Sequence, residues 1–253
     1  MLWVGWYGFN PGSTHGMTTI TDLEQASNAV LTTTVAGSAG GVAAVLVSRS
    51  RALWVAWRKG LRAGHTEVDV MHLSNGILSG LVAITAGCDI VSPANALIIG
   101  LVAGGSYPLC SHIIGPVLHI DDVVDAVAVH LCGGAWGVIA VGLFHHKLGL
   151  VATGSIALLK TQCFGCLVLA LTAGVLIFPV LFLINSLGFL RVSVEIEAKG
   201  LDSKFGISAH VHDSAKLLRL KEARDVIVNY GFDIEDLLLA SSRERRWRSG
   251  SVG

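Results

Sequence analysis

The chain is predicted to be an all-α integral membrane protein with about five and a half helices long enough to cross a bilayer. Three observations predict this. The mean hydropathy is +0.65, with 52% hydrophobic and only 14% charged residues. The apolar residues come in helix-length runs, and an α-helix needs about 20 residues at ~1.5 Å each to cross the hydrocarbon core. Thirty glycines and few aromatic residues suit closely packed helices, whereas the strands of a membrane barrel would alternate polar and apolar side chains.

Met1 is followed at once by LWVGWYGFNPGS, an aromatic apolar run about half a span long. No basic n-region of a signal peptide precedes the apolar residues, so the run reads as a helix cut in its middle and ended by Pro11 and Gly12. Trp6 and Phe9 stand three apart, with Ser13 one turn beyond Phe9. All three share one helical face if the turn persists, and an interfacial aromatic belt is the alternative reading. Residues 26–47 form the second span, rich in Gly, Ala, Ser and Thr and ending at Arg49 and Arg51. Residues 49–62 are basic and amphipathic, with Trp54 and Trp57 beside Arg58, Lys59 and Arg62, and are expected to form an interfacial cytoplasmic loop. Residues 73–88 and 94–117 are the third and fourth spans, parted by Asp89, Ser92 and Pro93. The sixth, residues 158–190, is long enough to tilt and carries Pro179 inside it.

The fifth span, residues 121–144, puts one ionisable residue in the middle of an apolar run. After Asp121, Asp122 and Asp125 no formal charge follows through Phe144, and His130 stands between. At regular helical spacing the imidazole shares its face with Ala126, Val127, Gly133, Gly134 and Gly137, and such a small-residue face admits another backbone or a narrow pore. Intramembrane ionisable groups usually face a bundle interior or a water-lined path. Two readings of His130 stand at this point: a functional imidazole in such a path, or a hydrogen-bonded structural histidine.

Loop charges set the orientation. Basic residues gather in residues 49–62 and again after Arg191, which parity puts on one side, the cytoplasm, while the loops after Ser13 and Cys88 hold no Lys or Arg. Lys147 and Lys160 fall outside and run against this pattern. Residues 206–253 read as a polar cytoplasmic tail, with an amphipathic helix over 215–228 and a basic end at Arg243, Arg245, Arg246 and Arg248.

Other chemistries find little support. The net charge of +0 argues against a nucleic-acid partner. The five cysteines fall in or beside apolar segments and read as small buried hydrophobes. Cys163 and Cys166 have CxxC spacing but lack a second ligand pair. His145 and His146, adjacent at a helix end, read as solvated side chains. No nucleophile or complete ligand set accompanies Asp121, Asp122 and His130, so no enzyme activity, metal or cofactor is expected.

Five stretches, in order, carry a resemblance: GWYGFNPGS, NGILSGLVAITAGCD, ALIIGLVAG, IDDVVDAVAVH with GGAWG, and LRVSVEIEAKGLD. Together they run from Gly5 to Asp202, and they resemble the ammonium transporters of the Amt/Mep/Rh group. The resemblance implies a fold of eleven helices built from two inverted five-helix repeats and a last long helix, assembled as a trimer. It implies that this chain covers the second half, with residues 1–205 a partial transmembrane region and residues 206–253 a tail. Trp6 and Phe9 would correspond to aromatics of the external vestibule and gate, Ser13 to a hydroxyl that helps bind the arriving cation, and His130 to the second of two paired pore histidines. Asp125 has the position of an acid that supports the cytoplasmic end of the pore. Val123 stands where the family commonly has proline, and Phe205 replaces a frequent histidine. The first pore histidine and first gate aromatic belong to helices outside this chain. The expected function is therefore transmembrane conduction of ammonium or ammonia by a hydrophobic pore with a histidine-assisted proton relay. Lipid and like subunits are its partners, and the plasma membrane is the expected host. The chain by itself is expected not to conduct. A non-transporting subunit that associates with full-length transporters is the alternative.

Overall fold

Small residues decide how closely the helices approach. In the computed structural model, which describes residues 1–58 and 69–193, glycines of α2 (Ile20–Arg58) lie against the backbones of α3 (Val70–Thr85) and α4 (Pro93–His112). A Cβ on Gly104 would run into the Gly40 backbone, one on Gly80 or Gly100 into that of Ala36, and one on Gly40 into the Gly76 carbonyl. With no hydrophobic drive between helices in lipid, such backbone approach supplies the van der Waals contact that holds a bundle together. Ala29, Ala36, Ala83, Ile84, Ile99 and Ala140 fill the centre of the resulting core.

The described residues fall into two units. The first, residues 1–51 and 69–173, holds α1 (Leu2–Gly12), most of α2, then α3, α4, α5 (Gly133–Phe144), the short α6 (Leu150–Thr153) and the start of α7 (Ala157–Ser186). Two π-helical segments, Ile113–Val117 and Val127–Cys132, extend α4 and lead into α5. The described part of the second unit, residues 52–58 and 174–193, holds the basic end of α2 and the distal part of α7. Among the described residues every regular element is helical, and four are long and apolar enough to cross a membrane: Ile20–Arg58, Pro93–Val117, Val127–Phe144 and Ala157–Ser186. Val70–Thr85 is a shorter apolar helix. The chain is therefore an integral membrane protein of several apolar helices, as its composition anticipates. The expected tail, residues 206–253, lies outside the described residues.

Two boundaries and the burial of the cysteines differ in detail from expectation. The second span does not end at Arg49 in a loop, because α2 continues to Arg58. No Gly or Pro interrupts residues 42–58, and the Arg58 guanidinium stacks at 4.9 Å over Trp54, one turn earlier. α7 stops at Ser186, short of residue 190. There Gly188, at φ 77, completes a Schellman turn in which Phe189 N–H donates to Ile184 O at 3.1 Å and Gly188 N–H to Asn185 O at 3.0 Å. Of the five cysteines only Cys88 is buried, Cys163 being exposed, because no residue of α7 is buried.

α3 and α4 are capped at their starts by side chains. Asp69 accepts from Met71 N–H at 2.8 Å and pairs with His72 Nδ1 at 2.6 Å. Burial pushes its carboxyl up, but these hydrogen bonds and the His72 charge outweigh it and hold the group below the usual value. Ser92 caps α4 through Asn95 N–H at 3.3 Å, with Pro93 at the first helical position. The α3–α4 turn is held from α2. The Asn28 amide nitrogen lies 3.0–3.3 Å from the carbonyls of Cys88, Asp89 and Val91, and Thr32 donates to Cys88 O at 2.6 Å.

Since Gly104 meets backbone with no flexible side chain to yield, Gly104→Val is expected to abolish the monodisperse folded chain in detergent or lower its thermal midpoint steeply. Gly165→Ala, where an added Cβ meets nothing within 4 Å, is expected to leave the midpoint unchanged. Size-exclusion chromatography with a thermal scan compares the two.

Candidate functional site

α1 is stitched to its neighbours by side chains on one flank. Trp6 Nε1 donates to Thr85 Oγ1 on α3 at 3.0 Å, and Thr85 donates in turn to Leu81 O at 2.8 Å. The Tyr7 and Thr34 hydroxyls share a bond of 2.9 Å, and buried Asn10 donates to Thr33 at 2.9 Å. These bonds fix the edge of the Trp6 indole and leave its face half-buried. That face and exposed Phe9 line an open apolar recess of about 450 Å³ with Met1, Leu2 and Gly5. Ser13, one turn on, is exposed and donates its hydroxyl proton to Phe9 O at 2.7 Å. Its oxygen lone pairs therefore remain available to a donor, which suits a cation that brings only N–H groups. The helical turn does persist to Ser13, whose N–H donates to Phe9 O at 3.1 Å, and Trp6 and Phe9 share the recess.

His130 and Asp125 are five residues apart, yet the fold treats them oppositely. The sequence expectation that His130 shares its face with Gly133 and Gly137 is overturned. A Cβ on Gly137 would run into the Ala83 backbone and one on Gly133 would meet Ser79 O at 3.5 Å, so these glycines pack on α3, while His130 is exposed. The reason is that His130 sits on the π-helical segment Val127–Cys132, whose wider turn re-aims every side chain before α5. π turns of this kind are common at functional sites. Among the described residues the imidazole makes no hydrogen bond.

Asp125 is anchored on all sides. It adopts φ 59, a left-handed conformation uncommon for a residue with a Cβ. Its Oδ2 accepts from Tyr107 Oη at 2.5 Å and from Asn75 Nδ2 at 3.2 Å, and its Oδ1 from Ser111 Oγ at 2.6 Å. The left-handed conformation costs about 1–2 kcal/mol, whereas hydrogen bonds to charged groups contribute about 1.5–3 kcal/mol each. The clamp thus outweighs the strain. Asp122 caps the same helix start, its Oδ2 accepting from Val127 N–H at 2.8 Å and Ala128 N–H at 3.3 Å.

Asn75, Tyr107, Ser111 and Thr85 were not singled out in the sequence. Tyr107 and Ser111 stand four apart in an otherwise apolar span, and that spacing is the signal that places both hydroxyls on one helical face. His146 is tied down and not simply solvated, since its Nδ1 lies 2.6 Å from Ile90 O.

Several apolar helices, four of them long enough to cross a membrane among the described residues, define a polytopic helical membrane protein. The chain belongs to the ammonium transporter family: the model described as Ammonium Transporter Family matches residues 1–209. It is 33% identical to ammonium transporter 3 of Dictyostelium discoideum, over 84% of this chain and 49% of the relative. With ammonium transporter Amt2 of Methanocaldococcus jannaschii it shares 35% identity, over 79% of this chain and 42% of the relative. The chain thus spans about half the length, or less, of the curated relatives it matches. Among solved structures, a sensor Amt protein superposes with a TM-score of 0.61 at 33% identity, covering 79% of this chain and 46% of that one. Mep2 of Candida albicans superposes with a TM-score of 0.64 at 24% identity, over 83% and 44% of the two chains, and shows the same helical fold. The family is one of transporters and not of enzymes.

The contrast between the two ionisable groups is measurable as stability. Asp125→Ala leaves the Tyr107, Ser111 and Asn75 donors without their acceptor and is expected to cost about 2–4 kcal/mol, since each buried unsatisfied donor costs about 1–3 kcal/mol. His130→Ala removes an exposed ring with no partner among the described residues and is expected to cost less than about 1 kcal/mol. Denaturation of the purified variants in mixed micelles gives both values.

Proposed function

We propose that the chain forms the second half of an eleven-helix ammonium transporter and supplies one wall of its pathway. The reading is carried by His130, an imidazole exposed and unbonded among the described residues on a segment of membrane-spanning length. A group of that kind is costly against lipid and finds its use against a pore. An arriving ammonium ion is held by the Trp6 and Phe9 faces, in cation–π contacts of about 0.5–2 kcal/mol, and by hydrogen bonds to the Ser13 oxygen. A charge does not cross a dry apolar pore cheaply. Parting of the proton from ammonia lets the neutral molecule pass, and His130, with a histidine from the other half, relays the proton. Asp125 supports the cytoplasmic end of the path. The assembly is a trimer in the plasma membrane, with residues 206–253 as its cytoplasmic tail and the transmembrane region ending near residue 205. Support for the partial-chain reading comes from the share of each relative that the match covers.

A second reading is a non-transporting subunit that associates with full-length relatives. It is favoured by α7, an apolar helix with no buried residue, which offers a long face to a partner.

Expression in cells lacking their own ammonium transporters, at limiting ammonium, separates these readings. Residues 1–253 alone are expected not to restore growth, since an inverted-repeat path lies between the two halves. Co-expression with the first half is expected to restore it, and His130→Ala in that assembly to lower uptake about tenfold or more at unchanged protein level. Growth with residues 1–253 alone overturns the half-pathway reading, and unimpaired uptake by the His130→Ala assembly makes the histidine structural.

Orientation has its own test. In a cysteine-free background, Ser50→Cys and Ser241→Cys are expected to react with an impermeant maleimide from the cytoplasmic side only. Labelling from opposite sides refutes the even number of crossings between them.

A further inference from the structure

We infer that Tyr107, Ser111 and Asn75 are positioning residues for His130: by gripping the Asp125 carboxylate they fix where the π-helical segment begins, and so the direction in which the imidazole points. Asp125 is the last residue before the helix that carries His130. Its carbonyl accepts from Val129 N–H at 2.8 Å, and the next amides, Val127 and Ala128, are taken by Asp122. At this start Asp125 is left-handed, at φ 59, and the left-handed residue is held through its side chain. Tyr107 and Ser111 reach it from α4, and Asn75 reaches it from α3 while donating also to Tyr107 Oη at 3.1 Å. Tyr107 is buried, so its hydroxyl has no water to turn to.

Releasing the carboxylate removes the support for the left-handed residue. Right-handed φ at Asp125 then extends the helix toward its start, and the extra residue held in the Val127–Cys132 turn is drawn into regular α-helix. A shift of one residue turns a side chain by about 100° around the axis. His130 would rotate against α5, whose Gly133 and Gly137 stay packed on α3. The three donors touch neither the recess at Trp6 nor the imidazole itself; they act through Asp125 and the backbone.

This inference borrows from the proposed function only the importance of His130, and its test needs no transport. The full chain, purified in micelles, is treated with diethylpyrocarbonate, and carbethoxylation is followed by peptide mass mapping at His130, with His145 and His146 as internal references. Tyr107→Phe and Ser111→Ala, singly and together, are expected to change the His130 rate several-fold while leaving the two references as in the parent chain. Ser111→Thr, which keeps the hydroxyl, is expected to retain the parent rate. An unchanged His130 rate in the double variant overturns the inference. So does a common rise at all three histidines, which would mean that the cluster holds the fold together and does not aim the ring.

Discussion

Inside a bilayer no water is available to a backbone N–H or C=O, and this fold is arranged around that constraint. Regular helix satisfies its own groups, so the demand falls on the places where helices stop. Some of the breaks between the described helices are met by side chains. Asn28 and Thr32 of α2 serve the carbonyls of the α3–α4 turn. Asp122 serves the first amides of the helix that carries His130. Polar residues in otherwise apolar spans are thus mostly structural here, and their cost is offset by the backbone groups that they complete.

The same logic explains why the small residues are where they are. Helices that approach through glycine bring backbones together, as Gly40 and Gly104 do between α2 and α4, and leave no room for a side chain to adjust. Such a contact is rigid, so the clamp that α3 and α4 place on Asp125 is referred to a fixed frame. A carboxylate held from two such helices is a firm point from which to start a third, and the left-handed residue persists because that frame over-determines it.

Much of this was legible in the sequence, and the failures share a cause. That the chain is built of several apolar helices follows from its runs of apolar residues, a signal that needs no knowledge of partners. The face of His130 did not follow, because counting from His130 to Gly133 and Gly137 assumes 3.6 residues per turn, and the π turn at Val127–Cys132 adds a residue that no periodicity announces. The end of the second span was misplaced because Arg49 and Arg51 mark a change of solvent and not of conformation, and α2 passes through it. Trp6, Phe9 and Ser13 came out on one side because α1 is regular up to its end. Tyr107 and Ser111 were not singled out although they stand four apart, and their partner Asp125 lies 14 to 18 residues away across a turn, which no local pattern joins to them.

Two ionisable residues five apart on one strand of chain therefore meet opposite fates, and the difference bears on what the chain is for. Asp125 is supplied with three donors by its own half of the fold. His130, on a spanning segment, is supplied with none among the described residues. If the helix merely needed a polar residue, the same helices that complete Asp125 could have completed the imidazole, or the position could have been apolar at lower cost. An exposed imidazole beside a fully served carboxylate fits the proposed reading of the chain as one wall of a shared pathway: the anchor would be finished within the wall, and the imidazole left for what faces it. The aromatic recess on α1 has the same character, since the bonds to Thr85, Thr34 and Thr33 secure one flank while the Trp6 and Phe9 faces stay open. Both open surfaces are apolar with one polar group at or beside them. In the proposed pathway, that combination would hold a small cation at the entrance and discourage its charge from going further.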